Sequence, residues 1–221
     1  MKKKFNTKVI HAGHGSDKET GAVMPPIHLS STFKQIEPGN FEYEYARTKN
    51  PSRDVLEKLL AQIESGHKAF AFASGMSAIN TVCDLFGTNF HIICSDDVYG
   101  GTRRLFDKVK SDIEVTYIDF DKNVNWNDEI KENTKFIWVE TPSNPLMKII
   151  DIKNTVSIAS EFNLPVICDN TFASPFNQRP LELGADMVVS SSTKYLGGHS
   201  DIVGGSIVIK ENKEYAEKIS Y

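Results

Sequence analysis

The sequence predicts an α/β protein of three layers, a mostly parallel sheet with helices on both faces. Two observations carry that expectation. From Pro51 onward, short apolar runs alternate with amphipathic stretches of helical period, the pattern of strands buried between helices. Glycine or small polar residues then follow one apolar run after another, as at strand ends that open onto a ligand. With 221 residues, 40% of them hydrophobic, the chain is long enough for one large domain with a real core.

Residues 1–50 show weak periodicity and are broken by Gly13, Gly15, Gly21, Pro25, Pro26 and Gly39. They read as an irregular arm that packs on a neighbouring subunit. Residues 51–221 read as the domain. Pro51 suits the first turn of a helix; Val55, Leu56, Leu59, Leu60 and Ile63 keep helical spacing, and Gly66 stops the run. Ala69–Ala73 is then a strand, Gly75–Leu85 a helix, His91–Cys94 a strand and Gly101–Lys110 a helix. Val115–Ile118 and Phe136–Glu140 read as strands, Asn154–Phe162 as a helix, and Pro165–Asp169 and Met187–Ser190 as strands. Ser206–Ile209 is a further apolar segment, and Glu211–Tyr221 reads as the start of a last helix.

Several function classes fall away at this point. A net charge of −4 supplies no basic field for nucleic acid or anionic lipid. The Lys2-Lys3-Lys4 patch has no apolar run behind it, so it is not a secretory signal. No apolar stretch approaches the roughly 20 residues that a membrane helix needs. Cys83, Cys94 and Cys168 lack CxxC spacing, which argues against structural zinc and a disulfide framework and favours a reducing cytoplasm. Neither GxGxxG nor GxxxxGK[ST] occurs, so neither a dinucleotide nor a nucleoside triphosphate is signalled.

The residues after the strands carry the chemistry. Ser74-Gly75-Met76-Ser77 opens a helix, where free amides attract anions; it also reads as an ordinary tight turn. Asp169 ends an apolar strand, where a carboxylate is costly unless it meets a positive partner; it is a cap or turn residue, or a fixed charge facing a cationic ring nitrogen. Lys194 sits in SSSTKYLGGHS, among hydroxyls and before two glycines. Most lysines are solvated surface charges, but one desolvated beside donors becomes a nucleophilic amine. Tyr99, also past a strand end, is a packing aromatic or a ring that stacks on a heterocycle. A phosphate cradle, a carboxylate for a ring nitrogen and a nucleophilic lysine together describe pyridoxal 5'-phosphate.

With these residues in place, the sequence resembles the pyridoxal-phosphate enzymes of cysteine and methionine metabolism. ETPSNP, DNTFASP and STKYLGGHSD occur in that order, and the likeness runs from Thr7-Lys8-Val9-Ile10-His11-Ala12-Gly13 to Gly204-Gly205. The resemblance implies the large domain of the aspartate-aminotransferase-like fold (fold type I). It implies that Lys194 holds the cofactor covalently and moves protons on the substrate. Asp169 would keep the pyridine nitrogen protonated, and Tyr99 would stack on the ring. Gly75 and Met76 would offer amides to the phosphate, with Thr171, Ser191 and Thr193 among the cofactor residues. Asn144 and Glu140 would face the substrate. Tyr45 and Arg47 would reach the cofactor of a neighbouring subunit in a dimer of dimers.

Within the family, DDVYGGTRRLF and ETPSNPLMKIIDI look closest to cystathionine γ-lyase and γ-synthase, with β-lyase and O-acetylhomoserine sulfhydrylase as alternatives. Methionine γ-lyases typically place cysteine where Gly101 stands, which weakens that reading. Family members also continue into a C-terminal domain whose arginine grips the substrate carboxylate. The expectation is therefore a truncated or split member, and an inactive fragment is the remaining alternative.

Overall fold

The computed structural model describes residues 4–120, 122 and 124–220. Among these residues, seven strands form a sheet: β1 (Lys68–Phe72), β2 (Phe90–Ser95), β3 (Ile113–Ile118), β4 (Thr134–Glu140), β5 (Val166–Asp169), β6 (Met187–Ser190) and β7 (Gly205–Ile209). Their spatial order is β1-β7-β6-β5-β4-β2-β3. Strands β6, β5, β4, β2 and β3 pair in parallel, while β7 runs antiparallel to both β6 and β1. β1 therefore points the same way as the parallel set. Every strand but β7 delivers its carboxyl end to one edge of the sheet, as the mostly parallel prediction requires.

The helices are α1 (Phe5–His11), α2 (Pro51–Ile63), α3 (Gly75–Asp84), α4 (Gly100–Arg104), α5 (Trp126–Glu129), α6 (Ile152–Glu161), α7 (Ser174–Asn177) and α8 (Lys213–Ser220). Pro51 does open α2, and Asn50 caps it by accepting from the amides of Ser52 and Arg53. Side-chain alternation along β4 explains why the strand is apolar from Phe136 to Val139. Phe136 and Trp138 enter one core with Ala78, Ile79 and Val82 of α3, while Ile137 and Val139 enter another with Ile152 and Ala159 of α6. Leu60 and Ile63 of α2 pack on Val188 and Val208. Each such side chain, removed from water, contributes on the order of 1.5–3 kcal/mol before the entropy of ordering is subtracted.

Four expectations need adjustment. The arm is not irregular from its start: α1 docks on α2, helped by Phe5 against Phe176 at 5.8 Å and by the buried Ala12. Gly13 permits this, since a Cβ there would come within 2.5 Å of the Val55 carbonyl. The helix expected over 101–110 is α-helical only through Arg104 and continues as a π-helical segment, Leu105–Val109. Short helices α5 and α7 and a 3₁₀ segment, Pro180–Leu183, carry too few residues for a readable period. The last helix begins at Lys213; Tyr221, like Lys2 and Lys3 of the basic patch, lies outside the described residues. No described helix is long and apolar enough to cross a membrane.

Candidate active site

The carboxyl edge of the sheet opens into a cavity of about 730 Å³. Gly75, Met76, Tyr99, Glu140, Asn144, Asp169, Thr171, Ser191, Thr193 and Lys194 all line it. Lys194 and Asp169 thus face one space, from the turn after β6 and from the end of β5.

The acidic wall is built by strand register. Glu140 and Asp169 are paired residues at the ends of β4 and β5, so their carboxylates lie side by side. Both are almost fully buried, at 5% and 6% exposure. Burial, then repulsion from Asp169, pushes Glu140 up to about 8. Burial also raises the Asp169 carboxyl, against the hydrogen bonds from Thr171. Its Oδ1 accepts from the Thr171 amide at 3.0 Å, and Glu140 Oε2 accepts from the Tyr99 amide at 2.8 Å. Neither acid has an ion-pair partner among the described residues. A buried acid pair without a cation fits a ligand that brings a positive charge, such as a protonated pyridine nitrogen.

Another part of the cavity wall is the start of α3. Ser74 caps this helix in a reciprocal capping box with Ser77, accepting from the Ser77 amide at 3.1 Å. That leaves the amides of Gly75 and Met76, in the first helical turn, without intrahelical partners. A Cβ on Gly75 would lie 2.7 Å from Ser191 Cβ and 3.0 Å from Ser191 Cα, so only glycine lets the helix start close on the β6 turn. A helix start with free amides and Ser191 therefore meet on the same cavity wall.

The hydroxyls divide into two groups. Thr171 Oγ1 accepts from the Ser191 amide at 2.8 Å and so ties the β5 and β6 ends together. Thr193 Oγ1 accepts from the Gly204 amide at 3.0 Å and donates to the Gly204 carbonyl at 3.2 Å. Both line the cavity while bracing its walls, a structural duty the motif reading did not include.

Lys194 departs from the expectation of a desolvated amine: it is exposed at the cavity mouth. The turn that carries it, closed by the Gly197 amide on the Ser192 carbonyl at 2.8 Å, holds it outside the sheet. Tyr99 is also open, at 47% exposure, and its ring occupies the space that a side chain at 101 would need: a Cβ on Gly101 would lie 2.4 Å from Tyr99 Cε1.

Tyr45 and Arg47 are not brought to this cavity. The Arg47 guanidinium stacks on the Tyr45 ring at 5.0 Å, and Arg47 lines a separate concavity of about 590 Å³ with Lys49, Arg53 and Lys68.

Sequence reasoning missed a supporting layer. Asp97 Oδ2 accepts from the Leu146 amide at 2.9 Å and from Ser143 Oγ, which holds the loop bearing Asn144. The buried Glu64 and Asn170 and the half-buried Gln178 form a chain of bonds next to Asp169. The one available signal was Asn170 itself, beside Asp169 in the DNTF segment.

Comparison with known proteins gives a consistent result. The family model for Cys/Met metabolism PLP-dependent enzymes matches residues 6–221. The chain is 49% identical over 220 residues to a cystathionine beta-lyase of Lactococcus lactis subsp. cremoris, covering 98% of this chain and 58% of the relative. It is 47% identical over 224 residues to a cystathionine gamma-lyase of Bacillus subtilis, covering 100% of this chain and 58% of the relative. A crystal structure of cystathionine gamma-lyase from Lactobacillus plantarum, complexed with L-serine, superposes with a TM-score of 0.94 at 47% identity, over 99% of this chain and 58% of that one. The chain thus spans less than three-fifths of the length of these relatives.

Proposed function

The chain belongs to the Cys/Met metabolism PLP-dependent enzyme family, and on that premise we propose that it performs carbon–sulfur chemistry on sulfur amino acids, of the cystathionine γ-lyase or γ-synthase type. The observation that carries this reading is the buried Glu140–Asp169 pair facing Lys194 across one cavity. Pyridoxal phosphate, when bound, supplies an electron sink for charge released at the substrate Cα. Asp169 holds a proton at the ring nitrogen. Lys194 Nζ binds the cofactor and carries protons at Cα and beyond. The Gly75 and Met76 amides and the Ser191 hydroxyl take the phosphate, Tyr99 covers the ring, and Asn144 and Glu140 line the substrate side.

Tyr45 and Arg47 serve a neighbouring subunit's cofactor in a dimer of dimers. The exposed apolar side chains of the arm support this reading, with Ile27 at 82%, Leu29 at 90% and Ile36 at 83% exposure. On this reading residues 51–221 are the cofactor domain. Three free, buried cysteines support a reducing cytoplasm as its compartment. β-Lyase chemistry stands as a second reading because relatives of both names share the same level of identity.

Adding pyridoxal phosphate to the purified chain should produce a long-wavelength absorbance band that Lys194→Ala lacks, with almost no change in melting because this lysine is exposed. Incubation with cystathionine then separates the two readings. Each cleavage consumes one water: at Cγ–S it releases cysteine, a four-carbon 2-oxo acid and ammonia, and at Cβ–S homocysteine, pyruvate and ammonia. A colourless protein that takes up no cofactor refutes both.

A further inference from the structure

We propose that Gln178 is a positioning residue that sets the spacing of the Glu140–Asp169 pair, anchored through Asn170 to the buried Glu64. The inference rests on the reading of that pair as the partner of a cationic ring. The parallel ladder between β4 and β5 ends at Glu140 and Asp169. The pair is therefore the last rung, held by backbone pairing on the sheet side only; beyond it the two chains leave the sheet. The next residue on each strand is Thr141 and Asn170, both fully buried.

A single amide joins them. Gln178 Nε2 donates to the Thr141 carbonyl at 2.8 Å and to Asn170 Oδ1 at 3.0 Å. Asn170 Nδ2 donates back to the Gln178 carbonyl at 2.9 Å and reaches the two Glu64 oxygens at 3.3 and 3.4 Å. Glu64 lies at the end of α2 with 1% exposure, and burial pushes its carboxyl up to about 7. Here four groups from α2, β4, β5 and the turn after α7 meet in one chain of bonds. Two buried acids repel as they ionise, and a tie beyond the last rung resists their separation. Glutamine is suited to the place because one NH₂ group satisfies two acceptors that water does not reach. The asparagine is suited for the same reason: its oxygen and both its protons are used.

The test uses the full chain with pyridoxal phosphate as the probe. Gln178→Met keeps the length and removes both donors. Gln178→Glu keeps the shape and replaces the donating amide with oxygen. Ile113→Val, at the amino end of the edge strand β3, serves as a destabilised control away from the pair. Releasing the acid pair from its set spacing predicts about tenfold weaker cofactor binding in both Gln178 variants, with the pH midpoint of the bound cofactor's absorbance shifted, while the control keeps both values. A Gln178 variant that melts lower but retains wild-type affinity and midpoint overturns the proposal.

If the wild type takes up no pyridoxal phosphate, the functional reading fails first, and the cofactor-free chain still decides. A relaxed acid pair loses less stability as pH rises, so with Glu64→Gln in both proteins, to remove that acid and its Arg179 neighbour's pull from the titration, the Gln178→Met melting curve against pH should be shallower than that of its Gln178 parent. Parallel curves overturn the inference.

Discussion

The two ends of the sheet treat buried titratable groups in opposite ways. Toward the amino ends, His91 in β2 is fully buried, yet each ring nitrogen has a partner: Thr134 Oγ1 at 2.7 Å and Thr116 Oγ1 at 2.9 Å. At the carboxyl ends, Glu140 and Asp169 are nearly as buried but share one wall without a cation. A satisfied group stabilises the fold and goes unused. Two buried acids without a counter-charge cost stability, and natural sequences retain that cost where a ligand removes it. The contrast identifies the working end of the molecule without reference to any motif.

The strongest way to break this comparison is Asp169→Asn. The amide keeps an acceptor for the Thr171 amide but removes one of the two facing charges. The cofactor-free protein should melt higher, by about 1 kcal/mol or about 2–4 °C for a chain of this size. Turnover with cystathionine should fall by about 10²-fold or more, because the ring nitrogen loses its counter-charge. The pH profile gives the sign independently. The folded state raises both carboxyls, so it holds protons that the unfolded chain has released. Stability from this pair is greatest in acid and is lost as pH rises from the ordinary 4.5 of Glu140 toward about 8. Asp169→Asn should flatten that slope. A variant that melts lower, with an unchanged slope, would mean that the acids are not strained against each other.

The next largest effect sharpens the phosphate end. Gly75→Ala places a methyl 2.7 Å from Ser191 Cβ and must push α3 away from the β6 turn. Overpacking of this kind costs about 1–3 kcal/mol, and pyridoxal phosphate affinity should drop about tenfold with it. Gly100→Ala, where an added Cβ meets nothing within 4 Å, is the matched control and should leave both unchanged. Equal losses in the two variants would detach the cradle from the close approach at Gly75.

How much of this was legible in the sequence follows from the range of each interaction. Lys194, Asp169 and Gly75 were readable because a strand end and its following turn are local, and parallel topology sends those ends to one edge. The reversal of β7 was not readable, since Ser206–Ile209 is as apolar as a parallel strand and its direction is set by where it inserts. Glu64 looks like any acid closing a helix; its burial comes from Asn170, more than a hundred positions away. Gln178 follows a helix too short to have a period. The duties of Thr171 and Thr193 were hidden because a hydroxyl motif does not say whether the oxygen faces a ligand or the next loop.

The smallest effect tests the satisfied end. Burial, then the nearby Lys131, lowers the His91 value below its ordinary 6.5, so the folded ring stays neutral at pH values where the unfolded chain is protonated. Stability from this residue is therefore complete above 6.5 and is lost as pH falls from there toward the lower folded value, the reverse of the carboxylate pair. His91→Gln keeps two polar contacts of similar reach without a titrating group. At neutral pH the wild type should be the more stable by about 1 kcal/mol, the worth of one imperfectly replaced hydrogen bond. Melting the two proteins between pH 7 and 5 should show that gap closing as the wild-type ring is forced to charge. A gap that stays constant would mean that the ring takes up its proton inside the fold at no cost. His91 would then be as adaptable as the acids at the other edge, and the division between a quiet end and a working end would not hold.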